Sequence, residues 1–345
     1  MKQNETPIVK TGERNSNIEL LRFIMMMGIC LWHILQHGYG LKLMEHNEAH
    51  PSYLQIVYLC ALVPSVNCFM FISGYYGIKF KKERLVSLFT QATFFFVVCL
   101  LVRNVVGLGE QVDNEFIIKN WFPLGNSAWW FLNWYVVIMI LSPLLNNGGG
   151  QKRNLYIVTS LVFLNCFATW LNHRSSGSDL MGLLTIYLMG RYLHNYCSSL
   201  EIIRGHVWVL VFILSTTLLI IFCFGVHHQG RDQTVWTLLM YNNPLVVIQA
   251  ISLFYFVKGG PFKDIKMFNF LGRHCFAIYL VTEFSGGFFY FLWKGMYEDE
   301  GMIPMFLMVL ITSVVICLTD WIRVPITKKI DEACLYCSNK LSLFS

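Results

Sequence analysis

The chain has 345 residues, of which 55% are hydrophobic, 16% aromatic and only 13% charged. An ordinary soluble domain carries about 25% charged residues, so this composition excludes a soluble globular protein and points to an all-α polytopic membrane protein. The formal net charge of +6 does not mark a nucleic-acid binder, because the 26 Lys and Arg residues lie in short loops between apolar runs and not on one face.

Apolar runs bounded by charges and turn residues predict about ten transmembrane helices, near 17–37, 53–78, 85–106, 128–145, 154–171, 180–196, 206–226, 235–257, 267–293 and 303–322. An even number returns both termini to one side. With that side cytoplasmic, the inside loops hold the basic groups Lys79–Arg84, Lys258–Lys266 and Arg323–Lys329, against isolated cations at Lys42, Lys119, Arg174, Arg231 and Lys294 outside. This is the positive-inside pattern. The predicted organisation is a cytoplasmic tail 1–16, a membrane domain 17–322 and a cytoplasmic tail 323–345. No small-residue cleavage site follows the first apolar run, which is therefore expected to be a retained anchor. No internal repeat is visible, and the short loops leave the chemistry in or beside the bundle.

The first predicted helix carries the sharpest signal. Arg22 and His33 lie eleven residues apart, and eleven residues at 100° return to within about 20° of the start, so the two share a face about 16 Å apart along the axis. Glu19, Met26, Ile29, Gln36 and His37 fall on the same stripe. A cation inside a spanning helix costs about 2.5–3.5 kcal/mol at its centre, so the stripe is expected to face protein or water and not lipid. His33 has the chemistry of a general base acting on a hydroxyl, or of a structural histidine bonded to a neighbouring helix. Arg22 can grip phosphate oxygens in bidentate fashion, or snorkel and pair with Glu19. His33 and His37, one turn apart, lack an HExxH context, and the one CxxC, Cys334 and Cys337, lacks a second pair; no metal is expected.

Four further stretches combine polar and membrane chemistry. Lys79, Lys81, Lys82 and Arg84 follow the second helix and suit an anionic headgroup or phosphate, or plain topology. Asn67, Ser73, Gly74, Tyr75 and Tyr76 close that helix with groups that allow tight packing or line a cavity. Trp129, Trp130, Asn133, Trp134 and Tyr135 form an interfacial anchor or a platform for a sugar ring. The ninth helix carries Arg273, His274, Tyr279 and Glu283, the last at the depth of His33. Glu283 has two candidate partners, His33 and Arg103.

These residues resemble the acyltransferase-3 family of bacterial integral-membrane O-acyltransferases. Arg22 and His33 with ten residues between, after Asn17–Leu21–Arg22–Phe23, look like the family's R-x10-H signature. Phe69–Tyr75, reading FMFISGY, is similar to its apolar run ending in Ser-Gly-aromatic. Trp130–Tyr135 leading into Leu141–Leu145, and Gly272–Leu280 ending in Tyr-Leu, carry the rest of the likeness. Two departures stand out: Lys81 and Arg84 replace paired arginines after the second helix, and Val281–Thr282–Glu283 follows Tyr-Leu where a histidine is frequent.

The resemblance implies transfer of an acyl group, with acetyl expected, from cytoplasmic acyl-CoA (acetyl-CoA) to a hydroxyl of a cell-surface glycan or its lipid-linked precursor at the bacterial inner membrane. Arg22 with Lys81, Lys82 and Arg84 would seat the coenzyme phosphates. His33 would act as catalytic base; Glu283, by its depth and not by the resemblance, is its candidate partner, and Asn133, Trp134 and Ser73 are the candidates for substrate contact. The expected partners are membrane lipid, the acyl-CoA and the sugar acceptor. The rival expectation is a secondary transporter or lipid-handling permease that uses Arg22, His33 and Glu283 as an ion or proton relay.

Overall fold

The computed structural model describes residues 15–35, 51–106, 117, 122–125, 129–146, 150–172, 175–284 and 302–340. Among these residues the fold is all-helical, with no strand. In chain order the helices are α1 (Ser16–His33), α2 (Tyr53–Leu62), α3 (Ser65–Tyr76), α4 (Lys82–Val106), α5 (Trp130–Asn146), α6 (Gln151–Val162), α7 (Leu180–Tyr196), α8 (Gly205–His228), α9 (Asp232–Leu238), α10 (Pro244–Lys258), α11 (Lys266–His274), α12 (Phe276–Thr282) and α13 (Met302–Lys340). A π-helical segment, Phe163–Thr169, extends α6, and a 3-10 turn, Ser198–Ile202, follows α7. Four helical stretches, 53–76, 82–105, 205–228 and 303–337, are long and apolar enough to cross a membrane.

Several predicted spans are interrupted, and the sequence explains where. The second predicted helix breaks at Val63–Pro64, since a proline inside a helix removes a backbone hydrogen bond and clashes with the preceding turn. The predicted span 235–257 is two helices, because Asn242–Asn243–Pro244 interrupts it. The Asn243 side chain accepts from the Leu245 amide at 2.9 Å and Pro244 opens α10, the preferred residue for a first helical position. The ninth predicted helix is divided at Cys275 into α11 and α12, and its continuation beyond Phe284 lies outside the described residues, as does His37. The last helix is longer than the predicted 303–322. It runs through the charged segment to Lys340, where Lys328 pairs with Glu332 one turn on at 3.9 Å and Thr90 of α4 donates to Asp331 at 2.6 Å.

In lipid, helix association rests on close packing of small residues and on polar contacts, since hydrocarbon is as apolar as leucine. The α3–α7 contact illustrates this. A Cβ on Gly74 would lie 2.2 Å from the Tyr187 carbonyl oxygen, and one on Gly190 would lie 2.8 Å from the Phe71 carbonyl oxygen, so only glycine lets the two backbones touch. Gly272 does the same for α1 and α11, where a Cβ would meet the Glu19 backbone oxygen at 2.6 Å.

The amino end of α1 is pinned to the α10–α11 loop. The Asn17 amide donates to the carbonyls of Gly260 and Phe262, both at 3.1 Å, and accepts from the Phe262 amide at 3.0 Å. Ser16 accepts from the Ile265 amide at 2.7 Å and donates to Asn269 at 3.0 Å. This clamp carries the end of α10 and all of α11 against α1, which decides what surrounds Arg22.

Candidate active site

Helix α1 lines two cavities in succession with one stripe of side chains. Its first turns give Ile18, Glu19 and Arg22 to a cavity of about 670 Å³, and its last turns give Met26, Ile29 and His33 to a cavity of about 10 Å³. From Arg22 the spacing i, i+4, i+7, i+11 thus places Met26, Ile29 and His33 on one face of the helix, along which the two cavities follow each other. Phe69 of α3 and Phe131 of α5 line both cavities, packed edge to face with centroids 6.1 Å apart, and stand between them.

The larger cavity is cationic. Arg22, Arg84, Lys258 and Arg273 all line it, and Glu19 is its one acidic lining residue. Arg22 pairs with Glu19 at 3.4 Å and lies over the Phe69 ring at 5.3 Å. Lys258 is held at 2.5 Å from Glu201 and donates to the Tyr75 hydroxyl at 2.7 Å, while that hydroxyl donates to Glu201. Glu201 lies on the 3-10 turn outside the spans. Burial pushes its carboxyl up, but the hydrogen bonds from Lys258 and Tyr75 outweigh burial and hold it below the ordinary carboxylate range. Arg84 and Arg273 make no ion pair among the described residues, which leaves two guanidinium groups available for an anion.

The smaller cavity holds the histidine. His33 and Glu283 are both buried, and Nδ1 of the imidazole stands 2.6 Å from Oε1 of the carboxylate. The carboxylate thus lies at ion-pair distance on the Nδ1 side of the imidazole, and Nε2 is the ring's other nitrogen. Glu283 owes its place to α12, which is fixed to the start of α5: the Trp129 indole donates to the Leu280 carbonyl at 3.2 Å and the Phe131 amide donates to the Tyr279 hydroxyl at 3.1 Å. Tyr279 and Trp130 complete the cavity lining around His33. Trp130 in turn stacks on Tyr241, with centroids 5.9 Å apart and planes 23° apart.

The sequence-predicted residues distribute unequally over this arrangement. Arg22, Arg84 and Ser73 line the cationic cavity, and Ser73 also donates to the Phe69 carbonyl at 3.1 Å. His33 and Glu283 come together. Lys81 and Lys82 stand where α4 begins, outside the cavity lining. Asn133 and Trp134 are likewise outside both linings. Asn133 accepts from the Gly125 amide at 3.1 Å, and it is Trp130, Phe131 and Tyr135 of the same stretch that face the cavities. Lys258 and Arg273 were assigned no site role from the sequence. Their placement depends on the Asn17 clamp, a contact between residues 243 positions apart that no local pattern signals. Among the described residues no group of three His, Cys, Asp or Glu is placed to hold a metal ion.

Chemically, the arrangement offers a cationic basin at one end of α1, an imidazole–carboxylate pair about 16 Å farther along, and an aromatic constriction between. Residues 15–322 match the acyltransferase-3 family, described as an acyltransferase domain, and this span covers both cavities. No curated protein and no solved structure matches the chain.

Proposed function

Since the chain belongs to the acyltransferase-3 family, we propose that it is a membrane O-acyltransferase that moves an acetyl group from cytoplasmic acetyl-CoA to a hydroxyl of a surface glycan or its lipid-linked precursor. The observation that carries this reading is the single stripe on α1 that joins a four-cation cavity to the His33–Glu283 pair. The coenzyme's phosphates bind Arg22, Arg84, Arg273 and Lys258, since guanidinium groups recognise phosphate bidentately and an ammonium adds a point charge. Lys81 and Lys82 contribute from the mouth as long-range charge. The acyl thioester reaches toward His33 past Phe69 and Phe131.

At the transfer step His33 Nε2 takes the proton of the acceptor hydroxyl, the hydroxyl oxygen bonds to the thioester carbon, and the carbon–sulfur bond breaks. The coenzyme thiolate leaves with the proton from His33, so the imidazole ends as it began. Glu283 holds the imidazole through Nδ1 and balances its charge while the proton is on it. The acceptor enters from the far side, beside Trp130, where an indole face suits a sugar ring. Ten spans in the bacterial inner membrane, with both termini cytoplasmic, put the cationic cavity on the side where the coenzyme is made.

The test is mass spectrometry of surface glycans from cells with the wild-type protein, with His33→Ala and with the gene deleted. Loss of an acetyl-sized mass in both altered strains is the expected result. Identical glycans in all three contradict acyl transfer and favour a transport role.

A further inference from the structure

A third cavity, of about 140 Å³, opens beside the cationic one between the end of α5, the start of α6 and the last turns of α7. Its polar lining includes Arg153, Arg191, Asn154, Asn195 and Tyr192, with no acidic residue among the lining side chains. Arg191 Nε is buried with no acceptor among the described residues, where the arginine's hydrogen bonding is limited to a long 3.5 Å approach of Nη1 to the Tyr75 carbonyl. A buried donor without an acceptor is costly, and a negatively charged oxygen is its natural complement.

The opposite rim of this cavity is apolar and open. Leu144 is 77% and Ile157 is 42% exposed, and α6 buries none of its residues against the rest of the protein. In a membrane chain such a helix faces hydrocarbon, with Lys152 and Arg153 of its first turn at headgroup level. A cavity with arginines on one wall and lipid-facing leucine and isoleucine on the other matches an amphiphile with an anionic head.

We propose that this cavity binds the phosphate of an anionic phospholipid, with Arg153 and Arg191 on the phosphate oxygens and the chains lying over Leu144, Ile157 and Val158. The site also touches the wall of the cationic cavity. Asn146, which lines the lipid site, donates to the Ile78 carbonyl at 2.6 Å, and the Tyr187 hydroxyl accepts from the Ile78 amide at 3.2 Å and donates to Asn146 at 2.8 Å. Ile78 and Gly77 line the neighbouring cavity, and Gly77, at a φ of 75° that favours glycine, leaves no room for a Cβ against Arg191. A bound lipid therefore braces the Gly77–Ile78 segment from behind.

The inference concerns binding alone and stands or falls apart from the transfer reaction. The full-length protein in detergent is titrated with phosphatidylglycerol and with phosphatidylcholine of the same chains, and retained lipid is read by native mass spectrometry. Phosphatidylglycerol is expected to be retained in preference, and Arg153→Gln to weaken it about tenfold, the worth of one charge-assisted hydrogen bond. Arg153 is exposed, so this variant keeps the fold. Equal retention of both lipids with no effect of Arg153→Gln overturns the proposal. Displacement of phosphatidylglycerol by adenosine 3′,5′-bisphosphate, with the same dependence on Arg153, also overturns it and gives the cavity to the coenzyme.

Discussion

Two buried histidines in this chain each have a carboxylate on Nδ1, His33 with Glu283 at 2.6 Å and His274 with Asp320 at 2.7 Å. Their surroundings separate them. Asp320 also accepts from Arg323 Nε at 2.7 Å and from Gln91 at 2.8 Å, and Arg323 donates on to Thr327 at 3.0 Å. That network ties α4, α11 and α13 together, and His274 packs on the Phe270 ring with centroids 4.9 Å apart. Neither His274 nor Asp320 lines the two cavities along α1, whereas His33 does. The same pair of groups is thus a brace where cations and amides occupy the carboxylate, and in the proposed function a reactive centre where the ring lines a cavity. A polar pair inside a membrane protein acquires its role from what it faces more than from what it is.

The largest effect expected from this contrast is on chemistry. His33→Ala lowers turnover per folded, inserted molecule by about 10²–10⁴-fold, the usual worth of a general base. Next comes stability. Asp320→Ala leaves His274 and Arg323 buried beside no carboxylate and costs about 3–5 kcal/mol, read as a fall in the thermal midpoint of the purified protein, while turnover per folded molecule is kept. A reversal, with Asp320→Ala folded but inactive, would place the reactive centre at the wrong histidine.

Smaller effects test the cationic cavity. Arg273→Gln is expected to raise KM for the acyl donor about tenfold with kcat unchanged, because its guanidinium contributes binding that is equal in ground and transition states. An unchanged KM would remove Arg273 from the donor site. The smallest effect is that of pH on the half-exposed Glu201–Lys258 pair. Because the Glu201 carboxyl is held below its ordinary value, the pair's contribution is fully present above the unfolded carboxylate pKa, about 4.3, and is lost as pH falls through the lowered folded value. Thermal midpoints of wild type and Glu201→Gln are accordingly expected to differ at neutral pH and to converge in acid.

The contrast also marks what local sequence can express. The stripe from Glu19 through Arg22 to His33 was legible because helical periodicity alone aligns it, and the two cavities it lines follow that period. The break at Asn242–Asn243–Pro244 was encoded equally locally, in turn and capping chemistry, although hydropathy alone runs through it. Glu283 matched His33 in depth, but depth could not choose between His33 and Arg103. The hydrogen bonds from Trp129 and Phe131 to α12 fix where Glu283 lies. Lys258 and Arg273 were hidden for the same reason: they arrive through long-range clamps. The run Trp129–Tyr135 announced an aromatic surface without saying which members face inward, since an interfacial helix is aromatic on several sides.

The most direct measurement is release of free thiol from acetyl-CoA by equal amounts of folded, detergent-purified protein in three forms: wild type, His33→Ala and His274→Ala. The expected result is loss of release in His33→Ala and retention per folded molecule in His274→Ala. Wild-type release by folded His33→Ala protein would contradict the assignment of His33 as the base.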